Sequence, residues 1–360
     1  MPPSLVATLA EAARTAAHHP PRHPCGACAA VDREPGDGLR ALGAEVLADR
    51  PDGTVVRHGR VVAKAHAPDT DRAALDVRLA VAAHPLLHGV LLAPLTHAPA
   101  GASVPSGPSA PRSTGTCASG PHRPAEESAA LPCRPVTLWP HGTPVDPTDP
   151  DSAPWAGAGR LLAGLHRVPT DALPGPLPAM RGPLKAARAV ARMRAAGVRG
   201  AAGEAVLRAW GQLPAWARAE LPGPGPAGGT ARLCHGDLHL GQLVRHPAGT
   251  GDWLLIDVDD LGLGAAAWDL ARPAAWYAAG LLDPADWSRF LAAYREAGGP
   301  AVPPDGDPWP QLDVPARALT VQTAALALAK CAGERRAPDE AELAVVESCT
   351  RIAALPPGLP

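Results

Sequence analysis

The spacing of hydrophobic positions changes along this chain. Between residues 44 and 66, apolar and polar residues alternate in short runs that are separated by turn residues at 51–53 and 58–59. This alternation predicts a three-stranded antiparallel meander, because successive side chains of a strand point to opposite faces. Residues 3–17 and 69–83 repeat their apolar positions at helical spacing, which predicts one helix before the strands and one after them.

The C-terminal part has a different pattern. Short apolar runs at 89–95, 135–139 and 253–256 predict further strands. Apolar positions at helical spacing predict helices at 154–167, 183–197, 203–218, 265–281, 284–298, 310–332 and 338–354. The elements together predict an α+β fold, with a small antiparallel sheet in an N-terminal lobe and a mainly helical C-terminal lobe.

Composition indicates an insertion within the predicted N-terminal lobe. Residues 97–132 are rich in Pro, Ser, Gly and Ala. Such a segment buries too little apolar surface to offset its ordering entropy, so we expect a disordered insertion there. The predicted divisions are an N-terminal helix and loop at 1–38, an N-lobe at 39–142, and a helical C-lobe at 143–360 that contains a catalytic loop at 233–260.

Overall charge narrows the class of partner. The formal net charge is −2, which argues against nucleic acid or an anionic membrane as the main partner. No apolar run is long enough to span a bilayer, and the N-terminus lacks a signal-peptide core, so we expect a cytoplasmic protein. Seven scattered cysteines do not predict a disulfide framework in a chain of this size. Nothing in the sequence indicates the oligomeric state.

The basic residues are almost all arginine, and lysine occurs only at Lys64, Lys185 and Lys330. Where such a chain keeps a lysine, we expect that arginine cannot replace it, and the two residues differ most where a compact ammonium must reach a phosphate. This reasoning singles out Lys64, on the third predicted strand, as a phosphate contact.

Two acidic clusters about twenty residues apart have the residue types of a phosphoryl-transfer site. Asp237 follows His235 and Gly236 in a loop, where a carboxylate can point into a cleft and accept the proton of a hydroxyl group. Asp257 ends a predicted buried strand, and Gln242 lies between the clusters with an amide oxygen. An amide oxygen and a carboxylate are hard ligands of the kind that Mg²⁺ prefers.

These residues carry a family resemblance. H-G-D-L-H-L-G-Q, followed by L-I-D-V-D-D and W-D-L-A, resembles the aminoglycoside phosphotransferase family of the protein-kinase-like superfamily. G-R-L-L-A-G-L-H resembles the family's first helix after the hinge between lobes. The resemblance implies a two-lobed protein-kinase-like fold, the cofactors ATP and Mg²⁺, and transfer of the γ-phosphate to a hydroxyl of a small molecule such as an aminoglycoside or a sugar.

The resemblance also implies roles in the C-lobe. Asp237 would be the catalytic base, and Asp257 the main Mg²⁺ ligand. Gln242 would occupy the position of the family's metal-binding Asn. Asp269 would support the catalytic loop. Gln in place of Asn departs from the usual H-G-D-x-H-x-x-N loop, but the H-L-G-Q form resembles that of maltokinases.

The roles implied for nucleotide binding fall on other segments. Lys64 would contact the α and β phosphates of ATP, and Leu138 and Trp139 would lie against the adenine. Asp76 is the best candidate for the acidic partner of Lys64, with Asp71 as an alternative. No recognisable Gly-rich phosphate loop precedes Lys64, and Gly36, Gly38 and Gly43 are only candidates for such a loop.

Two other functions stay open at this point. The H-x-D-x-H spacing of the loop could bind the Zn²⁺ of a hydrolase, although no second His motif supports it. The replacement at Gln242 and the missing Gly-rich loop could instead indicate a non-catalytic nucleotide-binding protein of kinase-like fold. Lys64 favours the kinase over the hydrolase, because a kinase needs a cation to contact the phosphates of ATP and a zinc hydrolase does not.

Overall fold

The structure, a computed structural model, describes residues 4–17, 43–50, 53–95, 134–221 and 231–355. It forms two compact units, one of residues 1–72 and 95–139, the other of residues 73–94 and 140–360. The loop predicted at 18–38 and the insertion predicted at 97–132 lie outside the described residues. The lobe boundary at 142 stays a prediction.

The first unit is a four-stranded sheet covered by a helix. Its elements are α1 (Leu5–Ala17), β1 (Ala44–Arg50), β2 (Gly53–His58), β3 (Val61–His66) and β4 (Val136–Pro140), with the strand order β1–β2–β3–β4. The pairs β1–β2 and β2–β3 are antiparallel, which confirms the predicted meander. The apolar face of α1, with Leu9 and Ala13, packs on Val56 and Ala63 in a buried core.

The two faces of this sheet differ in character. Ala63 of β3 faces α1, so its neighbour Lys64 points to the opposite face. On that face the indole N–H of Trp139 donates to Thr137 Oγ1 (2.9 Å), which lies 2.8 Å from His66 Nε2. Lys64 and Trp139 therefore share the sheet face that lies away from α1.

The second unit is mainly helical. Its helices are α2 (Arg72–Ala82), α3 (Trp155–Arg167), α4 (Gly182–Ala195), α5 (Ala201–Gly211), α6 (Ala267–Ala278), α7 (Pro284–Glu296), α8 (Trp309–Glu334) and α9 (Glu340–Ala354). Its strands are β5 (Thr143–Pro144), β6 (Arg232–Cys234), β7 (Leu243–His246), β8 (Asp252–Leu255) and β9 (Gly262–Gly264). They form a sheet in the order β5–β7–β8 and a separate pair, β6–β9. The α+β prediction is confirmed.

Packing between helices depends on close approach at small residues. The long helix α8 packs against α4, α6 and α9, and α3 packs against α7. A Cβ atom at Gly159 of α3 would lie 2.4 Å from the carbonyl oxygen of Phe290 in α7, so only glycine allows this spacing. No described helix is both long and apolar enough to cross a lipid bilayer.

Two predicted elements differ from the structure. The strand predicted at 89–95 is wrong, because Gly89 has a φ of 80° and only an isolated bridge joins Leu91 to Leu255. The helix predicted at 203–218 ends at Gly211. Pro214 explains the early end, since proline lacks a backbone N–H and disfavours helical geometry in the residue before it.

Candidate active site

The loop that carries Asp237 is pressed against the second acidic segment. It follows β6, which ends at Cys234, and leads through a 3₁₀ turn at Leu240–Gln242 into β7. Gly236 has a φ of 85°, and a Cβ atom there would lie 2.4 Å from the carbonyl oxygen of Asp260. Glycine is required at this position for both its conformation and its size, and the contact brings the two acidic clusters together.

Asp269 fixes the backbone of this loop. Its buried carboxylate, at the start of α6, accepts the backbone N–H groups of His235 (2.6 Å) and Gly236 (2.7 Å). Hydrogen bonds from two successive N–H groups hold the chain direction immediately before Asp237. The contacts agree with the supporting role that the resemblance implied for Asp269.

A buried polar network lies behind Asp269. His166 Nε2 lies 3.0 Å from Asp269 Oδ2, and His166 Nδ1 lies 2.8 Å from the hydroxyl oxygen of Tyr294. That hydroxyl accepts the backbone N–H of Ala301 (2.9 Å). His166, Cys234 and Asp269 are close enough together to ligate a metal ion, but both His166 nitrogens and both Asp269 oxygens already have hydrogen-bond partners. We therefore interpret the cluster as structural support.

The carboxylate of Asp237 lies between two cations. Lys185 Nζ donates to Asp237 Oδ2 at 2.6 Å, and Arg272 Nη2 donates to Oδ1 at 2.5 Å. Arg272, on α6, also donates from Nε to the carbonyl oxygen of Leu238 (3.0 Å). Both carboxylate oxygens are thus oriented by charged donors that come from two different helices.

Lys185 also binds the second acidic segment. Its Nζ donates to Asp260 Oδ2 at 2.7 Å, while Arg181 Nε lies 3.3 Å from the other oxygen of Asp260. Asp260 is only 7% exposed. Asp260 is therefore a buried acid that pairs with two cations, Lys185 and Arg181.

These contacts set the protonation of the site. Burial alone would raise the pKa of Asp237, but the charges of Lys185 and Arg272 outweigh it and hold that pKa well below its usual range. Burial alone would lower the pKa of Lys185, but the carboxylates of Asp260 and Asp237 outweigh it and raise that pKa. Asp237 is therefore ionised and Lys185 protonated at neutral pH.

Backbone pairing delivers Lys185 to this place. The segment before α4 runs along β9, where Leu263 N–H donates to the carbonyl oxygen of Pro178 (2.8 Å) and Met180 N–H to that of Leu263 (2.9 Å). The N–H of Arg181 then donates to the carbonyl oxygen of Asp260 (3.2 Å). Lys185 lies in the first turn of α4, directly after these bonds, so its position follows from the pairing with β9.

Gln242 and Asp257 lie on neighbouring chain segments. Ile256 N–H donates to the carbonyl oxygen of Gln242 (2.9 Å), which extends the β7–β8 pairing by one residue to the position before Asp257. Asp257 has a φ of 66°, a left-handed conformation that Asp tolerates better than most residues. Gln242 is only 9% exposed, and its side chain forms no hydrogen bond within the residues that the structure describes, while its amide atoms keep access to solvent. An amide oxygen in this condition fits a metal ligand.

The predicted nucleotide contacts lie on two elements of the first unit and one of the second. Lys64 lies on β3, and Trp139, which is buried, lies on β4 of the same sheet. Leu138 packs against the core beneath α1, and its carbonyl oxygen accepts the N–H of Leu95 (2.9 Å). Asp76 is on α2 and is partly buried. Their roles in nucleotide binding stay predictions.

The zinc-hydrolase alternative loses its support in the geometry. His235 Nε2 lies 2.8 Å from the carbonyl oxygen of Ile256, and its buried Nδ1 has no hydrogen-bond partner among the described residues. Over the described ranges, no group able to hold a metal ion includes His235, Asp237 or His239.

Sequence reasoning missed Lys185 and Arg272 as partners of Asp237. They lie 52 and 35 positions from it along the chain, so no local motif joins them. One signal was nevertheless present. Lys185 is one of the three lysines in this arginine-rich chain, and the argument that singled out Lys64 applies equally to Lys185.

The sequence matches the phosphotransferase enzyme family over residues 54–312. Because the match covers more than half of its length, the chain belongs to this family. It is a small-molecule phosphotransferase, and the resemblance noted in its motifs is confirmed. No curated protein matches the sequence.

Solved structures show the same fold at low sequence identity. A choline/ethanolamine kinase family protein from Mesorhizobium loti is 15% identical, with a TM-score of 0.52 over 97% of this chain and 96% of that one. A thermostable mutant of the aminoglycoside phosphotransferase APH(4)-Ia, in its apo form, is 12% identical, with a TM-score of 0.51 over 86% and 94% of the two chains. The predicted protein-kinase-like fold is confirmed.

Proposed function

We propose that this phosphotransferase uses ATP and Mg²⁺ to phosphorylate a hydroxyl group of a small molecule. The observation that carries the proposal is the position of Asp237, an ionised carboxylate oriented through both oxygens in a loop that Asp269 fixes. A carboxylate held in this way suits the orientation of an acceptor hydroxyl and the acceptance of its proton.

The proposed reaction is a direct in-line transfer. The oxygen of the acceptor hydroxyl attacks the γ-phosphorus of ATP while the bond from that phosphorus to the bridging oxygen breaks, and the electron pair of that bond stays on ADP. The proton of the hydroxyl passes to Asp237. Because the pKa of Asp237 is held low by Lys185 and Arg272, it is a weak base. We expect it chiefly to orient the hydroxyl and to accept the proton late, as a loose transition state allows.

Asp257 and Gln242 are the proposed ligands of Mg²⁺. The chemistry of the donor set supports this, since one is a carboxylate and the other a solvent-accessible amide without a hydrogen bond in the described part of the chain. The bound ion would neutralise negative charge on the phosphates. Gln242 is longer than the Asn that the family pattern has here, and its retained amide supports a catalytic protein over a non-catalytic one.

Lys64 is the proposed contact to the α and β phosphates, with Asp76 as its acidic partner. The proposal for the adenine side is Leu138 and Trp139. The sheet face that Lys64 and Trp139 share in the first unit supports Trp139, whereas the side chain of Leu138 packs on the opposite face, against the core beneath α1. An ammonium there would neutralise phosphate charge.

The acceptor is the least defined part of the proposal. The solved structures of the same fold are named for choline or ethanolamine kinases and for an aminoglycoside phosphotransferase. The loop sequence resembles that of maltokinases, so disaccharides are also candidate acceptors. We therefore propose a panel of choline, ethanolamine, several aminoglycosides, glucose and maltose.

The experiment is a screen for ADP release by purified protein with ATP and Mg²⁺ against this panel. Mass spectrometry of the acceptor then has to show one added phosphoryl group. We expect at least one compound to be phosphorylated. ATP binding without phosphorylation of any compound, and without ADP release above the buffer rate, would favour a non-catalytic nucleotide-binding protein instead.

A further inference from the structure

Lys185 has hydrogen-bonding capacity that its two ion pairs do not use. A lysine ammonium has three N–H donors. One binds Asp237 Oδ2 at 2.6 Å and a second binds Asp260 Oδ2 at 2.7 Å. Within the described residues, no acceptor takes the third. The side chain of Lys185 is 29% exposed, so this donor can reach a molecule that enters from solvent.

The position of the Lys185 ammonium places it beside the transferred phosphoryl group. An acceptor hydroxyl that gives its proton to Asp237 must lie about 2.6–3.2 Å from one of its oxygens. Lys185 Nζ contacts the same carboxylate. The phosphorus becomes bonded to that hydroxyl oxygen during transfer, so its equatorial oxygens arrive next to the ammonium. These oxygens carry most of the charge in the transition state.

We propose that Lys185 is a catalytic residue that donates its third N–H to an equatorial oxygen of the phosphoryl group during transfer. The inference rests on the proposed function and adds a residue to it. Lys185 stays protonated throughout: the hydroxyl proton goes to Asp237, the electron pair of the broken bond goes to ADP, and Lys185 contributes only a charged hydrogen bond. Asp260 anchors the ammonium while the phosphoryl group moves.

The residue type supports this role. Arg181, one turn earlier, already binds the other oxygen of Asp260, so charge balance alone gives no reason for a lysine at 185 in a chain whose basic residues are almost all arginine. A compact ammonium can divide its donors among three separate oxygens, whereas the planar guanidinium group is suited to paired oxygens in one plane. Two carboxylates and a phosphoryl group require the first arrangement.

The test uses a probe that needs no identified acceptor. ADP with Mg²⁺ and tetrafluoroaluminate imitates the phosphoryl group in transit, whereas ADP with Mg²⁺ alone does not. Affinities for both are measured by calorimetry on the wild type and on Lys185→Met. We expect the variant to bind ADP within about twofold of the wild type but ADP–tetrafluoroaluminate about 10- to 100-fold more weakly, the usual range for one hydrogen bond to a charged group.

Two further variants provide controls. Lys330→Met removes an exposed lysine on α8 and should leave both affinities unchanged. Lys185→Arg keeps the charge beside Asp237 and Asp260, so it should stay folded even if the Met variant does not. Its affinity for ADP–tetrafluoroaluminate should fall between those of the wild type and the Met variant.

The outcomes separate two failures. If the wild type does not bind ADP, the proposed function itself is wrong. If the wild type binds ADP, the inference about Lys185 is overturned by either of two results. One is a wild type that binds ADP–tetrafluoroaluminate no more tightly than ADP. The other is a Lys185 variant, Met or Arg if only the latter folds, that keeps the wild-type ratio of the two affinities.

Discussion

Substitution of Asp269 by Asn tests the support of the catalytic loop most sharply. The carboxylate accepts two buried backbone N–H groups, from His235 and Gly236, and lies 3.0 Å from His166 Nε2. Asn keeps one oxygen and replaces the other by a donor. At least one of the two backbone N–H groups then faces another N–H group and has no acceptor.

The expected cost follows from these contacts. A hydrogen bond to a charged group contributes about 1.5–3 kcal/mol, and a buried donor left unsatisfied costs about 1–3 kcal/mol. Removal of a buried charge recovers part of this, because the carboxylate no longer has to be desolvated. We therefore expect Asp269→Asn to lower the free energy of unfolding by about 3 kcal/mol. Displacement of Asp237 by about 1 Å should also lower turnover about 100-fold.

Urea unfolding followed by tryptophan fluorescence measures the first quantity. The matched control is Asp313→Asn on α8, which breaks an ion pair with Arg317 at a side chain that is 42% exposed. That control should change the free energy of unfolding by less than about 0.5 kcal/mol. If Asp269→Asn stays within about 1 kcal/mol of the control, the anchoring of the loop by Asp269 is refuted.

Three other substitutions have defined outcomes. Gly236→Ala should lower turnover at least about 100-fold in a steady-state assay, because the added Cβ would lie 2.4 Å from the carbonyl oxygen of Asp260 and displace the loop. The control Gly280→Ala, at a position with a φ of 75° and open space around it, should leave turnover unchanged. Lys185→Met should raise the pKa of Asp237, because it removes a cation beside that carboxylate, and Lys330→Met should not. The acid limb of the kcat–pH profile should therefore move to higher pH only in Lys185→Met; an unmoved limb would contradict the effect of the Lys185–Asp237 ion pair. Gln242→Leu removes no hydrogen bond within the described residues, so its urea midpoint should hold while the Mg²⁺ concentration for half-maximal rate rises; an unchanged Mg²⁺ requirement would exclude Gln242 as a ligand.

Local sequence was sufficient where the structure depends on neighbouring residues. The spacing of apolar positions and the turn residues predicted the meander at 44–66 and most helices, and an apolar run predicted β8. At 89–95 the same reasoning failed, because an apolar run cannot by itself be distinguished from an extended loop. The positive φ of Gly89 and a single bridge from Leu91 decided that outcome.

The candidate site divides in the same way. His235, Gly236 and Asp237 are adjacent, so the sequence shows them as one motif. Lys185 and Arg272 reach Asp237 only because α4 and α6 are placed by pairing with β9 and by the contact of Asp269 with the loop. Such contacts depend on tertiary packing, and a single sequence contains no local pattern for them.

The most direct test of the central claim is γ-phosphate transfer by Asp237→Asn. Transfer from radiolabelled ATP is measured with the acceptor found in the screen, and ATP affinity is measured on the same preparation. We expect the rate to fall about 100- to 10,000-fold, the usual contribution of a positioned acid or base, with ATP affinity within about twofold of the wild type. A rate close to that of the wild type, at unchanged ATP affinity, would contradict the assignment of Asp237 as the residue that orients and deprotonates the acceptor.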